Sequence, residues 1–214
     1  NVVEKDYVLG WMLAGISQHP RTSESWIFKG GTCLKKCYFE TYRFSEDLDF
    51  SLMPGARYTA DELKEIIQDV AARAAELSGI AFLPETIVVQ ERRNKQGDQT
   101  FEARIGYRGP MADPSIPRVR FDLTRQEPLL DGVDRRGVFH AYQDTLPEGM
   151  SVATYSIEEL FAEKLRALTE RTRPRDLYDV AFMLGNRLDA LNLDHSREWA
   201  SPVFVDRLTM PQTA

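Results

Sequence analysis

The spacing of apolar positions changes along the chain, and each change marks a predicted element. Val8, Met12 and Ile16 recur one helical turn apart with Trp11 beside them, which predicts an amphipathic helix over residues 3–18. The polar run His19–Ser25 breaks that period, and Trp26–Phe28 reads as a short strand entering a turn at Gly30-Gly31. A helix over Thr32–Tyr38 follows, then a strand over Asp47–Leu52 that ends at Pro54-Gly55. Residues 61–77 have helical period and helix-forming composition, with Gly79 placed to close the end. The middle is strand-like. Thr86–Glu91, Thr100–Tyr107 and Arg118–Thr124 alternate or run apolar between the turn signals Lys95–Asp98 and Gly109-Pro110. After Met150–Tyr155 the helical period returns. Ser156 and Glu159 form a capping box for a helix to about Arg171, and Pro174 opens another with Leu177, Val180, Ala181 and Leu184 on one stripe. The tail beyond Asn192 gives weak signals.

Within this pattern the stretch FKGGTCLKKCYFETYRFSEDLDF, residues 28–50, stands out. Asp47 and Asp49 are two apart on a predicted strand, so their side chains share a face while Leu48 and Phe50 point inward. Two carboxylates about 6 Å apart repel by roughly 3 kcal/mol at an effective dielectric near 20. A hard dication offsets that cost, and Mg²⁺ suits carboxylate oxygens. The alternative reading is an acidic edge strand protected from aggregation. The Gly30-Gly31 turn lets backbone N–H groups approach a phosphate. On Arg118–Thr124 the polar face carries a third acid, Asp122, which reaches the first two only if that strand neighbours Asp47–Leu52.

Lys164 is the second signal. It falls inside the apolar arc of its helix, between Leu160 and Leu168, with Arg171 at the edge of the arc two turns on. Glu158 and Glu163 lie on the wrong side to pair with it, so either a bound triphosphate supplies the partner or the ammonium snorkels to water. Asp176 sits in the first turn of the next helix, where the dipole favours an acid; its functional reading is to orient Lys164 or position the attacking group. Asp179 is expected to face outward or pair with Arg175.

Composition narrows the picture. The chain has 214 residues, 43% hydrophobic and 28% charged, which fits a globular protein of one large domain or a domain with an appendage. No apolar run reaches the ~20 residues of a membrane span, and the start, without a basic segment or cleavage site, does not read as a signal peptide. A first residue other than Met points to a trimmed start. Cys33 and Cys37 lack a second Cys/His pair for zinc, and a reducing cytoplasm is the expected compartment. A net charge of −6 means that any contact with RNA needs a local basic surface; Arg92, Arg93 and Lys95, or Arg171, Arg173 and Arg175, are candidates unless they are simply solvated. His19, His140 and His195 sit in no motif and are expected at the surface. Neither a Walker A loop nor a nucleophile elbow occurs.

Three motifs, KGGTCL at Lys29–Leu34, RFSEDLDF at Arg43–Phe50 and EKLRALTERTRPRDLYDV at Glu163–Val180, resemble the AbiEii-like nucleotidyltransferases. These belong to the DNA polymerase β-type superfamily and include toxins of type IV toxin–antitoxin and abortive-infection systems. The resemblance spans residues 3–187. It implies an α+β fold with a mixed sheet flanked by helices: a nucleotidyltransferase core over 1–155 and a helical part over 156–214 that completes the cleft. It also implies transfer of a nucleoside monophosphate from a nucleoside triphosphate to an acceptor, which in similar toxins can be the 3′ end of tRNA, and a small DNA-binding antitoxin as partner. Residue by residue, Gly31 and Thr32 match the phosphate-binding turn, where many members have Ser at the second position. Asp47 and Asp49 match the metal-binding pair, Lys164 and Asp176 the third motif, and Asp122 the third carboxylate by strand context alone.

The expected mechanism is two-metal phosphoryl transfer. Asp47, Asp49 and Asp122 hold two Mg²⁺, for which Mn²⁺ can substitute. Gly31 N–H and the Thr32 hydroxyl clamp the β- and γ-phosphates, and Lys164 with Arg171 neutralises phosphate charge. Two other readings stay open: a catalytically inactive nucleotide-binding module, and a nucleotidyltransferase or phosphotransferase acting on a protein or small molecule.

Overall fold

The strands join into one mixed sheet. The computed structural model describes residues 1–93, 99–111, 114–125, 129, 132–171 and 173–187. The turn signal at Lys95–Asp98, His195 and the tail beyond Asn192 lie outside the described residues. The strands are β1 (Trp26–Lys29), β2 (Asp47–Leu52), β3 (Ala81–Arg93), β4 (Gln99–Arg108), β5 (Arg118–Thr124), β6 (Asp134–Gly137) and β7 (Ser151–Thr154). Their order is β3-β4-β5-β2-β1-β7-β6. β2 pairs parallel with β5 and antiparallel with β1, and β1 pairs parallel with β7. The arrangement is the mixed sheet with flanking helices expected from the resemblance. β3 starts earlier than its apolar pattern predicts. Pro84, which cannot donate to a ladder, sits within the register shift between Leu83 and Val88 on this edge strand. β6, with the sequence DRRG, carries no apolar alternation and gave no strand signal.

By its internal contacts the chain divides into two compact units. One comprises Asn1–Pro128 with Asp134–Thr154, the other Leu129–Val133 with Tyr155–Ala214. In the first, helix α1 (Val2–Gln18) is capped by the Asn1 side chain, which accepts from the Val3 N–H. It is not amphipathic as expected: every residue from Val8 to Ile16 is buried. The run VLGWMLAGI is apolar all round, and such a helix has no face for water. Its glycines admit close neighbours. A methyl on Gly15 would stand 2.4 Å from the Val70 carbonyl oxygen, and one on Gly10 would stand 2.7 Å from Nδ1 of His140. Val70 lies on α3 (Ala60–Ser78), which starts with a Thr59–Glu62 capping box and ends at Gly79 with φ +74°. The helix expected at 32–38 begins two residues earlier, as one α-turn, α2 (Gly30–Cys33), and continues as a π-helical turn over Leu34–Tyr38.

That π-turn buries Lys36. Its ammonium pairs with Asp6 of α1 at 2.7 Å, and the Tyr142 hydroxyl donates to the same carboxylate at 2.8 Å. Burial lowers the Lys36 pKa, and Asp6 pulls it back up. His140 closes this cluster. Its side chain is only 4% exposed and bonds Asp144 at 3.1 Å, so it is not the surface residue expected. His19 is also largely covered, near Asp69 of α3.

In the second unit, α4 (Ile157–Arg171) starts at Ser156, whose hydroxyl accepts from the Glu159 N–H at 3.1 Å. It packs against α5 (Pro174–Arg187). The buried stripe of α5 is Asp176, Asp179, Val180 and Met183; of the expected stripe Val180 is buried and Leu184 half-buried, whereas Leu177 is 57% exposed and Ala181 is exposed.

Candidate active site

β2 turns Leu48 and Phe50 fully into the core and leaves Asp47 and Asp49 half-buried on the other face. The condition on Asp122 is met. Parallel pairing places Asp49 opposite Asp122 and Asp47 opposite Arg120. The antiparallel pairing of β5 with β4 adds Glu102 opposite Asp122 and Arg104 opposite Arg120. A row of carboxylates, Asp49–Asp122–Glu102, therefore crosses three strands. The row beside it runs Asp47–Arg120–Arg104. A cavity of about 260 Å³ lies over both, lined by Asp47, Asp122, Glu102, Arg104 and Arg120.

The row is electrostatically tense. Asp122 is open to solvent on the sheet face yet crowded by its neighbouring strands. That crowding, then the charges of Asp49, Glu102 and Asp47, push its pKa up to about 6, while Arg120 pulls it down. Glu102 pairs with Arg92 of β3 at 3.0 Å. Sequence reasoning missed Glu102, although its signal was the one that gave Asp122. Phe101, Ala103 and Ile105 are buried, so Glu102 and Arg104 must share the polar face.

The glycine turn meets the acids directly. Gly30 has φ +77°, and a methyl there would lie 2.2 Å from Oδ2 of Asp49. Only glycine fits both the backbone and the approach. A methyl on Gly31 would stand 3.0 Å from Ser45 Oγ and 3.3 Å from Nη2 of Arg43, so these two side chains border the turn. Both belong to the RFSEDLDF motif but were read only as its flank. Thr32 is fully buried, and its hydroxyl donates to the Asp47 carbonyl oxygen. In this structure that hydroxyl ties the turn to the acidic strand.

The second unit holds the other two motif residues. Lys164 neither snorkels nor lacks a protein partner: its side chain is 12% exposed and it pairs at 2.9 Å with Asp179, which is fully buried. This corrects the expectation that Asp179 faces outward or pairs with Arg175. Asp176 instead takes Arg171 through two hydrogen bonds of 2.8 Å. Those bonds hold the Asp176 carboxyl below the usual carboxylate range, with Lys164 a lesser nearby charge.

Among the described residues no three His, Cys, Asp or Glu side chains converge closely enough to hold a metal ion by themselves. The donor chemistry nonetheless fits a hard dication: the row offers carboxylate oxygens, and the repulsion that raises Asp122 is what such an ion relieves. Mg²⁺ characteristically binds through one or two carboxylates plus substrate phosphates, so an incomplete protein set suits an ion that arrives with a triphosphate. Cys33 and Cys37 are free and buried.

A seven-stranded mixed sheet with helices, bearing an acid row beside a glycine turn, is consistent with the nucleotidyltransferase fold. Residues 11–208 match the family described as nucleotidyl transferase AbiEii toxin, type IV toxin–antitoxin system, and the chain belongs to that family. No curated protein matches the chain. Among the described residues no helix is long and apolar enough to cross a membrane.

Proposed function

We propose that this chain transfers a nucleoside monophosphate from a nucleoside triphosphate to the 3′ end of an RNA, with tRNA the acceptor indicated by the family resemblance, and that a cognate antitoxin encoded nearby restrains it. The acceptor 3′ hydroxyl gives up its proton to water as its oxygen bonds to the α-phosphorus, the bond from that phosphorus to the bridging oxygen breaks, and pyrophosphate leaves. Gly31 N–H and the neighbouring Arg43 receive the β- and γ-phosphates, and Thr32 keeps the turn fixed to the Asp47 backbone. Asp47, Asp49 and Asp122 would hold Mg²⁺, or Mn²⁺ in its place, and the ion would neutralise charge on the phosphates when bound. Lys164, Asp176 and Arg171 are assigned to the nucleotide on their likeness to the family's third motif; the Asp179 and Asp176 carboxylates hold the two cations in fixed orientations.

The observation that supports this reading is the closeness of Gly30 to Asp49: a methyl on Gly30 would lie 2.2 Å from Oδ2 of Asp49, so the glycine turn abuts the acid row. Incubation of the full chain with each radiolabelled ribonucleoside triphosphate, total RNA and Mg²⁺ tests it on a gel. Wild type is expected to label RNA with at least one nucleotide, and Asp49→Ala is expected to lose that label by roughly a thousandfold. Equal labelling by the variant, or none by wild type, refutes the reading.

A further inference from the structure

We propose that Arg104, Arg120 and Arg118 form the seat of the sugar–phosphate backbone of the single-stranded RNA end that accepts the nucleotide. The inference deepens the transferase reading above and rests on it. Arg104 and Arg120 stand directly opposite each other on β4 and β5, an arrangement that costs stability because like charges face across the ladder. Neither makes an ion pair or hydrogen bond with the described residues, and Arg120 acts on Asp122 only as a neighbouring charge. All three arginines are exposed. Carboxylates flank the two guanidinium groups, with Asp47 opposite Arg120 and Asp122 and Glu102 in the next row, yet none closes an ion pair with them, and on an acidic protein, net charge −6, a polyanion can supply that partner.

Sheet order says which polyanion. The glycine turn follows β1, on one side of β2, whereas the arginines lie on β5 and β4, on the other side. The acids of β2 thus lie between the turn and the arginine strip, with Asp122 on the strip's own strand. Transfer in line needs the donor phosphates on one side of the reacting centre and the acceptor on the other. The arginines are also a line rather than a point. Arg118 and Arg120 are two residues apart on β5, about 6.6 Å along the strand. Arg120 lines both the cavity over the acid row and a second hollow of about 450 Å³ bordered by Arg118 and Ile116. Lys5 also borders that hollow, but it is already paired with Glu46 at 3.1 Å. A triphosphate has no use for cations leading away from the acids, whereas a strand entering with its 3′ end does. The guanidinium fork bonds phosphate oxygens in pairs and reads no base, so the seat is tolerant of sequence.

The test is direct binding of a short 5′-labelled single-stranded RNA to the full chain, by fluorescence anisotropy across a salt series. Nucleotide binding is measured separately in wild type and Asp49→Ala. Arg104→Ala/Arg120→Ala is expected to weaken RNA binding about tenfold or more and to flatten the salt slope by about 1.4, two single-strand phosphate contacts. Arg104→Lys/Arg120→Lys should keep most of the slope while losing affinity, because the charge stays and the fork is gone. Removing the opposed charges should leave the melting temperature unchanged or raised, whereas a merely structural role would lower it. RNA binding by the alanine variant equal to wild type, or no RNA binding by wild type, overturns the proposal. If RNA binding follows the arginines but no Asp49-dependent nucleotide binding is found, the transferase reading falls while the RNA seat stands.

Discussion

Asp122 concentrates the tension of the site in one side chain. Its folded-state pKa of about 6 lies above the ordinary value of 3.8, so the folded protein holds that proton more tightly than the unfolded chain does. This contribution favours folding fully below about pH 4 and is lost as pH rises through about 6. Asp122→Asn is therefore predicted to raise the melting temperature of the ligand-free protein at pH 7.5, with the gain fading toward pH 4. Because the carboxyl is open on one side, the gain is about 1 kcal/mol at most, roughly 2–4 °C. Calorimetric or fluorescence melts at the two pH values check it, and identical curves at pH 7.5 would contradict the crowding of the row. At this scale much of the site was legible. Asp47, Asp49 and Asp122 follow from strand alternation, because the side-chain period of two is a property of the backbone. Asp179 was not legible. A helix whose inward face carries two acids misleads a phase set by its apolar residues, and the cations that satisfy those acids come from the preceding helix.

Among the elements, α1 and the π-turn show what local pattern leaves out. The apolar run of α1 announces burial on every side, yet nothing in it says that Asp6 will meet a lysine 30 positions on. The pair is nearly without exposure and has Tyr142 as a third member, so it behaves as a buried network rather than a surface bridge. Lys36→Met is predicted to destabilise the protein by about 3–5 kcal/mol, because Asp6 is left charged and buried. Lys36→Met/Asp6→Leu should recover most of that loss, since Tyr142 also donates to the Val3 carbonyl. Urea unfolding of the two variants decides the matter: equal stability of single and double would show that the charge pair is not the link between α1 and the turn. The π-turn itself was read as plain α-helix, because i→i+5 bonding leaves no compositional mark in LKKCY.

At the scale of the whole molecule, the decisive fact is the order of strands. Asp49 and Asp122 are 73 positions apart and become partners only because β5 joins β2 in parallel. Periodicity predicted both strands and could not predict their adjacency, which depends on a crossover rather than on either segment. The same order brings Glu102 into the acid row and aligns the opposed arginines beside it. Similarity of three motifs supplied the architecture that spacing could not, and the match over residues 11–208 places the chain in that family. Calorimetric titration of a nucleoside triphosphate into the full chain, with and without Mg²⁺, in wild type and Asp49→Asn, asks most directly whether the acid row is a nucleotide site. Mg²⁺ should tighten wild-type binding by about tenfold or more and leave the variant's binding unchanged. Binding indifferent to Mg²⁺ in wild type, or equally dependent on it in Asp49→Asn, would contradict that role.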